Sequence, residues 1–219
     1  MMIAYRALAA LLHYPSQPLL AHIGEIDAAL PARSPAARAV APLLAYLRAG
    51  DLLDLQESYV ETFDRGRRTS LNLFEHVHGD SRDRGQAMVD LLAMYRAAGL
   101  ELAGDDLPDY LPAFLEYLSL LDTRGAREQL AEIVHILQSI RAALARRASV
   151  YTGAFDALLA LAGATAAADE TDIEDDTTPA AIDAMWVEAP VTFLGAESPA
   201  CGPRHAPVEQ PIRFTGRAA

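Results

Sequence analysis

Residues 57–88, ESYVETFDRGRRTSLNLFEHVHGDSRDRGQAM, gather the side chains most able to do chemistry. Five arginines, two histidines and six carboxylates fall in this stretch. Metal binding is the first chemistry to weigh, through Glu75, His76, His78 and Asp80. On a helix, residues two apart face nearly opposite sides, so His76 and His78 could not chelate together there. Glu75 with His78, or His76 with Asp80, could share a face one turn apart. No HExxH is present, and closed zinc sites want three or four dedicated ligands. The plainer account is that these groups hydrogen-bond to neighbouring arginines and loop backbone.

Anion binding is the second chemistry. Arg65, Arg67 and Arg68 form a basic cluster that could grip a carboxylate, a phosphate or a pterin-type anion through bidentate contacts. They could equally pair with Glu61, Asp64 or Asp80 on a solvated loop, where exposed ion pairs are individually weak. Gly79–Gly85 superficially suggests a phosphate loop, but it lacks the glycine spacing and preceding strand of a dinucleotide fingerprint. Alternating Asp80, Arg82, Asp83 and Arg84 read better as a network that fixes a loop at the start of a helix. No serine near the histidines carries a nucleophile elbow. Cys201, four residues before His205, lacks any sign of the electropositive pocket a catalytic thiol needs. Asp105, Asp106 and Asp109 lack calcium-loop spacing and read as helix caps.

Composition narrows the field further. The chain has 219 residues, 52% of them hydrophobic, and a formal charge of −12. Nucleic acid is therefore an unfavourable partner, since phosphate binding needs a basic face. All 18 cationic side chains are arginine, which excludes a P-loop lysine, a Schiff base and a pyridoxal-phosphate anchor. One cysteine excludes an intrachain disulfide framework or a cysteine-rich metal site. No segment has the length of a membrane span or the uninterrupted core of a signal peptide, so a cytoplasmic protein is expected.

The elements that must position these groups are helices. Ala4–Leu12 has leucines at core spacing and ends before Pro15. Leu19–Leu30 repeats that pattern. Ser34 caps a helix with Pro35 at its first position, and Gly50 is expected to stop it in a left-handed conformation. Asp51 caps Leu52–Phe63, whose Leu55, Tyr59 and Phe63 line one face. Residues 64–69 read as a loop. Ser70 is expected to cap a short helical turn through Leu71, Phe74 and Val77. Helical periodicity resumes near Arg84 and stops at Gly99. Asp109 is expected to cap a helix from Leu111 with Pro112 in its first turn. Thr123–Gly125 reads as a break before one long helix through Leu144, and a last helix ends at Gly163. No run alternates as a strand would. The prediction is an all-α bundle of roughly seven to nine helices over residues 1–163. Residues 164–180 form an acidic linker, DETDIEDD at its centre, expected to stay disordered by self-repulsion. Residues 181–219 form a proline-rich extended tail. Its two similar hexapeptides, Pro190–Gly195 and Pro211–Gly216, are either chance similarity or short apolar plugs for the bundle.

Three segments carry a resemblance. Ser70–Met88, SLNLFEHVHGDSRDRGQAM, is similar to the signature of the NarJ family, the nitrate reductase molybdenum-cofactor assembly chaperones, also called the delta subunit. Leu11–Pro15 resembles the family's opening helix, and Asp106–Leu118 its second signature. Together they cover residues 1 to about 160, and Trp186–Phe193 resembles a less constant C-terminal segment. The motif residues are Glu75, His76, His78, Gly79, Asp80, Ser81, Gly85, Asp106, Pro108 and Asp109. In the wider TorD-like chaperone group an aspartate–histidine pair stands at Asp109 and Tyr110. Tyr110 keeps a hydrogen-bond donor but does not titrate near neutrality, which puts any proton-linked role of that histidine in doubt.

The resemblance implies a private chaperone and not an enzyme. It implies binding to the N-terminal segment of the nitrate reductase catalytic subunit before membrane docking, and support of molybdenum-cofactor and iron–sulfur insertion. No cofactor would be held stably, although transient contact with the molybdenum cofactor and with its biosynthesis proteins is compatible. A helical client segment would lay its apolar face in a groove. The expected groove walls are Tyr59, Phe63, Leu73, Phe74 and Tyr110, and the expected polar clamps are Arg65, Arg82, Asp83 and Arg84. The rival reading is a helical metal-dependent hydrolase using Glu75, His76, His78 and Asp80.

Overall fold

The computed structural model describes residues 2–77, 83–102 and 106–165. The linker beyond Thr165, the tail, and the predicted site residues His78, Gly79, Asp80, Ser81 and Arg82 lie outside that set. So does the side chain of Asp83.

Every regular element among the described residues is helical. Ten α-helices run in order: α1 Met2–Leu12, α2 Gln17–Ala21, α3 Ile23–Ala29, α4 Pro35–Ala49, α5 Leu52–Phe63, α6 Asp83–Ala97, α7 Leu111–Leu118, α8 Thr123–Glu132, α9 Val134–Arg146 and α10 Thr152–Ala162. Two short 3-10 turns, Arg67–Thr69 and Leu73–His76, lie between α5 and α6. The all-α expectation holds. The helix number exceeds it because two predicted helices are each broken once. Leu19–Leu30 bends at His22, whose backbone leaves helical geometry (φ −104°, ψ 8°). The long helix bends at Ile133 in the same conformation. An apolar stripe continues across such a bend, so periodicity alone does not reveal it. Thr123–Gly125 is not a break but the first turn of α8, capped by Asp122, whose Oδ1 accepts from Gly125 N at 2.7 Å.

Several starts and stops follow local chemistry as read. Ser34 Oγ accepts from Ala37 N at 3.0 Å, and Asp51 Oδ1 from Leu53 N at 2.9 Å. Gly163 ends α10 with φ 76°, a left-handed conformation that an L side chain resists. Gly50 departs from expectation, for its φ is −80°. A methyl group there would come within 2.6 Å of the Leu55 side chain, so the position needs a small residue for packing and not for backbone conformation.

The core is built by α10 against α4 and α9, and by α1 against α7. Helix α7 is the most enclosed element, buried at every position from Leu111 to Leu118 except Glu116. In helix α6 only Tyr95 among the described side chains is fully buried, and its hydroxyl donates to Pro108 O at 2.8 Å. Met88 and Leu92 on the same helix are half-buried.

Candidate functional site

Of the predicted site residues, Leu73, Phe74, Glu75 and His76 lie on a strap, residues 69–76, that leaves the end of α5 and crosses the start of α7. Leu71 and Leu73 point into the core, each 4% exposed. Between them Asn72 forms an antiparallel bridge with Tyr110. Leu111 N donates to Leu71 O at 2.8 Å, and Leu73 N donates to Asp109 O at 2.9 Å. The bridge satisfies backbone groups that a buried loop would otherwise leave unpaired.

Asp109 does not cap α7. The N-cap of α7 is Tyr110, without a side-chain cap bond. The Asp109 carboxylate instead turns toward the strap, and its Oδ2 accepts from Phe74 N at 3.0 Å. It therefore caps the second 3-10 turn across 35 residues of sequence. Asp109 is fully buried. Burial pushes its carboxyl above the ordinary value of 3.8, and the Phe74 N–H and the Arg84 guanidinium oppose that rise.

Other bonds staple the strap to itself. His76 Nε2 donates to Ser70 O at 2.9 Å, and Arg67 Nη2 donates to Glu75 O at 3.2 Å. Ser70 does not cap the turn; its hydroxyl accepts from Asn72 N at 3.2 Å. At the strap's upstream end the buried Thr69 hydroxyl donates to Thr62 O. From α9's C-cap, Arg147 Nη1 reaches both Thr62 O and Thr69 Oγ1 at 3.4 Å. Sequence reasoning missed Thr69 and Arg147. No local pattern links residues 78 apart, and a buried threonine beside a run of arginines is the only hint.

Tyr59, Phe63 and Leu73 are each 4% exposed. They are core residues beneath the strap and do not form walls of an open groove. Tyr59 donates its hydroxyl to Leu12 O at 2.8 Å, which satisfies a terminal carbonyl of α1. The Tyr110 hydroxyl lies 3.1 Å from the Tyr59 hydroxyl. The rings of Tyr59, Phe63 and Tyr151 pack with centroids 4.8–6.0 Å apart, and burial pushes the Tyr59 hydroxyl far above its ordinary range. Tyr59→Phe should cost about 1–2 kcal/mol in urea denaturation, because a buried carbonyl loses its donor. Tyr110→Phe should cost less, since no carbonyl depends on it.

Phe74, Tyr110, Glu75, His76 and Arg84 are partly exposed around the strap, while Pro108 is buried and Gly85 and Asp106 are exposed. Arg65 is exposed and pairs with Glu61 at 3.6 Å. It does not join the strap but lines a cleft of about 550 Å³ with Arg147, Thr62 and Ser149. Among the described residues no three His, Cys, Asp or Glu side chains could share a metal ion, and none of the helices is long and apolar enough to cross a membrane.

Among the described residues the fold is an all-helical scaffold with an interhelical strap braced by polar side chains, and that is the class it defines. Comparison with known proteins gives that class its family. The nitrate reductase delta subunit family matches residues 31–157. The nitrate reductase molybdenum cofactor assembly chaperone NarJ of Escherichia coli K12 is 44% identical over 218 residues, covering 95% of this chain and 91% of that protein. The probable assembly chaperone NarW of the same strain is 49% identical over 155 residues, 68% of this chain and 67% of its own length. A probable NarJ of Bacillus subtilis is 30% identical over 106 residues, 48% of this chain and 58% of its length. The chain belongs to the nitrate reductase delta subunit family.

Proposed function

We propose that this protein is a dedicated assembly chaperone for a nitrate reductase and has no catalytic activity of its own. It binds the N-terminal segment of the catalytic subunit in the cytoplasm, supports insertion of the molybdenum cofactor and iron–sulfur clusters, and departs before the membrane enzyme is complete. It holds no cofactor stably; its contact with the molybdenum cofactor and its biosynthesis proteins is transient. The observation that carries this reading is the similarity, over nearly the full length of both chains, to a protein named as a nitrate reductase molybdenum cofactor assembly chaperone. The hydrolase alternative loses its support, since the relatives are named as chaperones. The Glu75 carboxylate moreover accepts from Asn72 Nδ2 at 3.5 Å, and His76 Nε2 donates to Ser70 O.

The client segment docks along the strap's outer face. Phe74 supplies an apolar contact and Tyr110 a polar and aromatic one. Arg84 supplies charge in the first turn of α6, its sequence neighbours Arg82 and Asp83 are proposed to add to it, and Arg65 lies off the strap, paired with Glu61. Tyr59, Phe63 and Leu73 act from below by holding the strap. Calorimetric titration with a synthetic N-terminal peptide of the catalytic subunit tests this. Phe74→Ala should weaken binding about tenfold, in line with an apolar anchor, and Arg84→Ala severalfold, with helicity unchanged in both. Full affinity in both variants would place the site elsewhere.

A further inference from the structure

The arginines that follow α5 read in the sequence as one anion-binding cluster, and the structure divides them. Arg67 Nη2 donates to Glu75 O in the strap. Arg65 instead lines the cleft of about 550 Å³ that it shares with Arg147. The cleft lies between α5 and the turn that joins α9 to α10, with Tyr46 of α4 as a further wall. Ser58, Glu61 and Thr62 reach it from α5, spaced so that they share one helix face, and Arg65 follows just past the helix end. Arg147 and Ser149 reach it from the turn. Ala148 between them is left-handed (φ 49°), a conformation that alanine resists. Ser149 N closes the turn on Leu144 O at 3.0 Å.

Charge and protons decide what fits there. Two guanidinium groups face one carboxylate. Arg147 is fixed in place through Thr62 O and Thr69 Oγ1, and so supplies a standing positive charge. Arg65 pairs with Glu61 at 3.6 Å, and both side chains are more than half exposed, at 64% and 54%. A pair of that kind is weak, so an incoming anion can take the guanidinium from Glu61. Two hydroxyls add donors. Ser149 Oγ accepts from Tyr151 N at 3.3 Å, which leaves its proton to give. The Thr62 hydroxyl is spent on Ser58 O at 2.7 Å, but the Ser58 hydroxyl makes no bond among the described residues. The negative charge elsewhere in the chain is screened beyond about 8 Å at physiological salt.

Guanidinium groups match an oxyanion with paired bonds, and hydroxyls complete its shell. Tyr46 and Val150 place apolar surface beside these donors. The volume falls in the range of small-molecule sites, roughly 300–1,000 Å³, which is more than a bare phosphate ion fills. We propose that this cleft binds a phosphorylated small molecule, its phosphate held by Arg65, Arg147 and Ser149 and its organic body against Tyr46 and Val150.

Calorimetric titration of the full chain with phenyl phosphate, in phosphate-free buffer at constant ionic strength, tests this. One molecule should bind per chain. Arg65→Gln should weaken binding about tenfold, as for the loss of a charge-assisted contact, and Ser149→Ala severalfold. Glu61→Gln should tighten binding severalfold, because the carboxylate that competes for Arg65 is gone. Residues 61 and 65 are exposed, so helicity by circular dichroism should not change in either variant. The opposite signs are diagnostic, since an ion pair with a structural role alone is broken equally by either substitution. No heat from the unaltered chain, or equal affinity of the Arg65→Gln and Glu61→Gln variants, would overturn the site.

Discussion

Gly153→Val should lower the unfolding free energy by about 3 kcal/mol, the upper part of the range for overpacked cores. Gly153 sits in the first turn of α10, where the helix crosses α4. A side-chain carbon there would collide with the backbone carbonyl of Ala39. A flexible side chain could yield, but a helix backbone cannot move without its neighbours. Helix propensity favours replacing a glycine by up to about 1 kcal/mol, so the measured loss is net of that gain. Gly24→Ala in α3 is the control, since nothing lies within 4 Å of its added carbon. It should be neutral or stabilise by about 0.5 kcal/mol. Thermal or urea denaturation of the two variants separates close helix approach from propensity. Equal effects would show that the α4–α10 crossing is looser than described.

The second large effect is at Asp109. Asp109→Ala should cost about 2 kcal/mol, because the Phe74 N–H loses its acceptor in a buried place and a small void remains. Asp109→Asn should cost less, since an amide oxygen can still accept. The pH dependence has a definite sign. Burial raises the folded-state carboxyl above its ordinary 3.8. The folded state therefore holds the proton more tightly, and the stability linked to this group is fully present below that value. It is lost as pH rises through the folded-state value. From about pH 4 upward, the unaltered chain should thus lose stability relative to Asp109→Asn. A parallel pH profile for the two proteins would contradict the burial. The Ala variant should also weaken client binding, because the turn that presents Phe74 depends on this cap.

Much of the fold was legible in the sequence, for identifiable reasons. Ser34, Asp51 and Gly163 are local signals whose chemistry is complete within one turn, and they act as read. The apolar faces of α5, α7 and α9 follow from spacing alone. What stayed hidden depends on partners distant in sequence. Asp109 looks like a cap for the helix that follows it, because a carboxylate two residues before a helix usually serves that helix. Here a bridge between Asn72 and Tyr110 brings a second orphan N–H, that of Phe74, within its reach. Arg147 lies in an ordinary helix end and shows its role only when α9 meets Thr69. Tyr59 and Phe63 share the periodicity of a binding face, but periodicity does not say whether a face meets solvent or core. The resemblance to the delta subunit family located the strap; the structure separates the residues that hold it from those that present a surface.

The proposed client contact is the N-terminal segment of a nitrate reductase catalytic subunit. The direct measurement is co-purification of the tagged chain from cells that express the catalytic subunit either whole or without its first ~40 residues, a length that exceeds a helical anchor. The whole subunit should be retained in near-stoichiometric amount and the truncated one lost. Equal recovery of both would contradict the claim and move recognition to another part of the client.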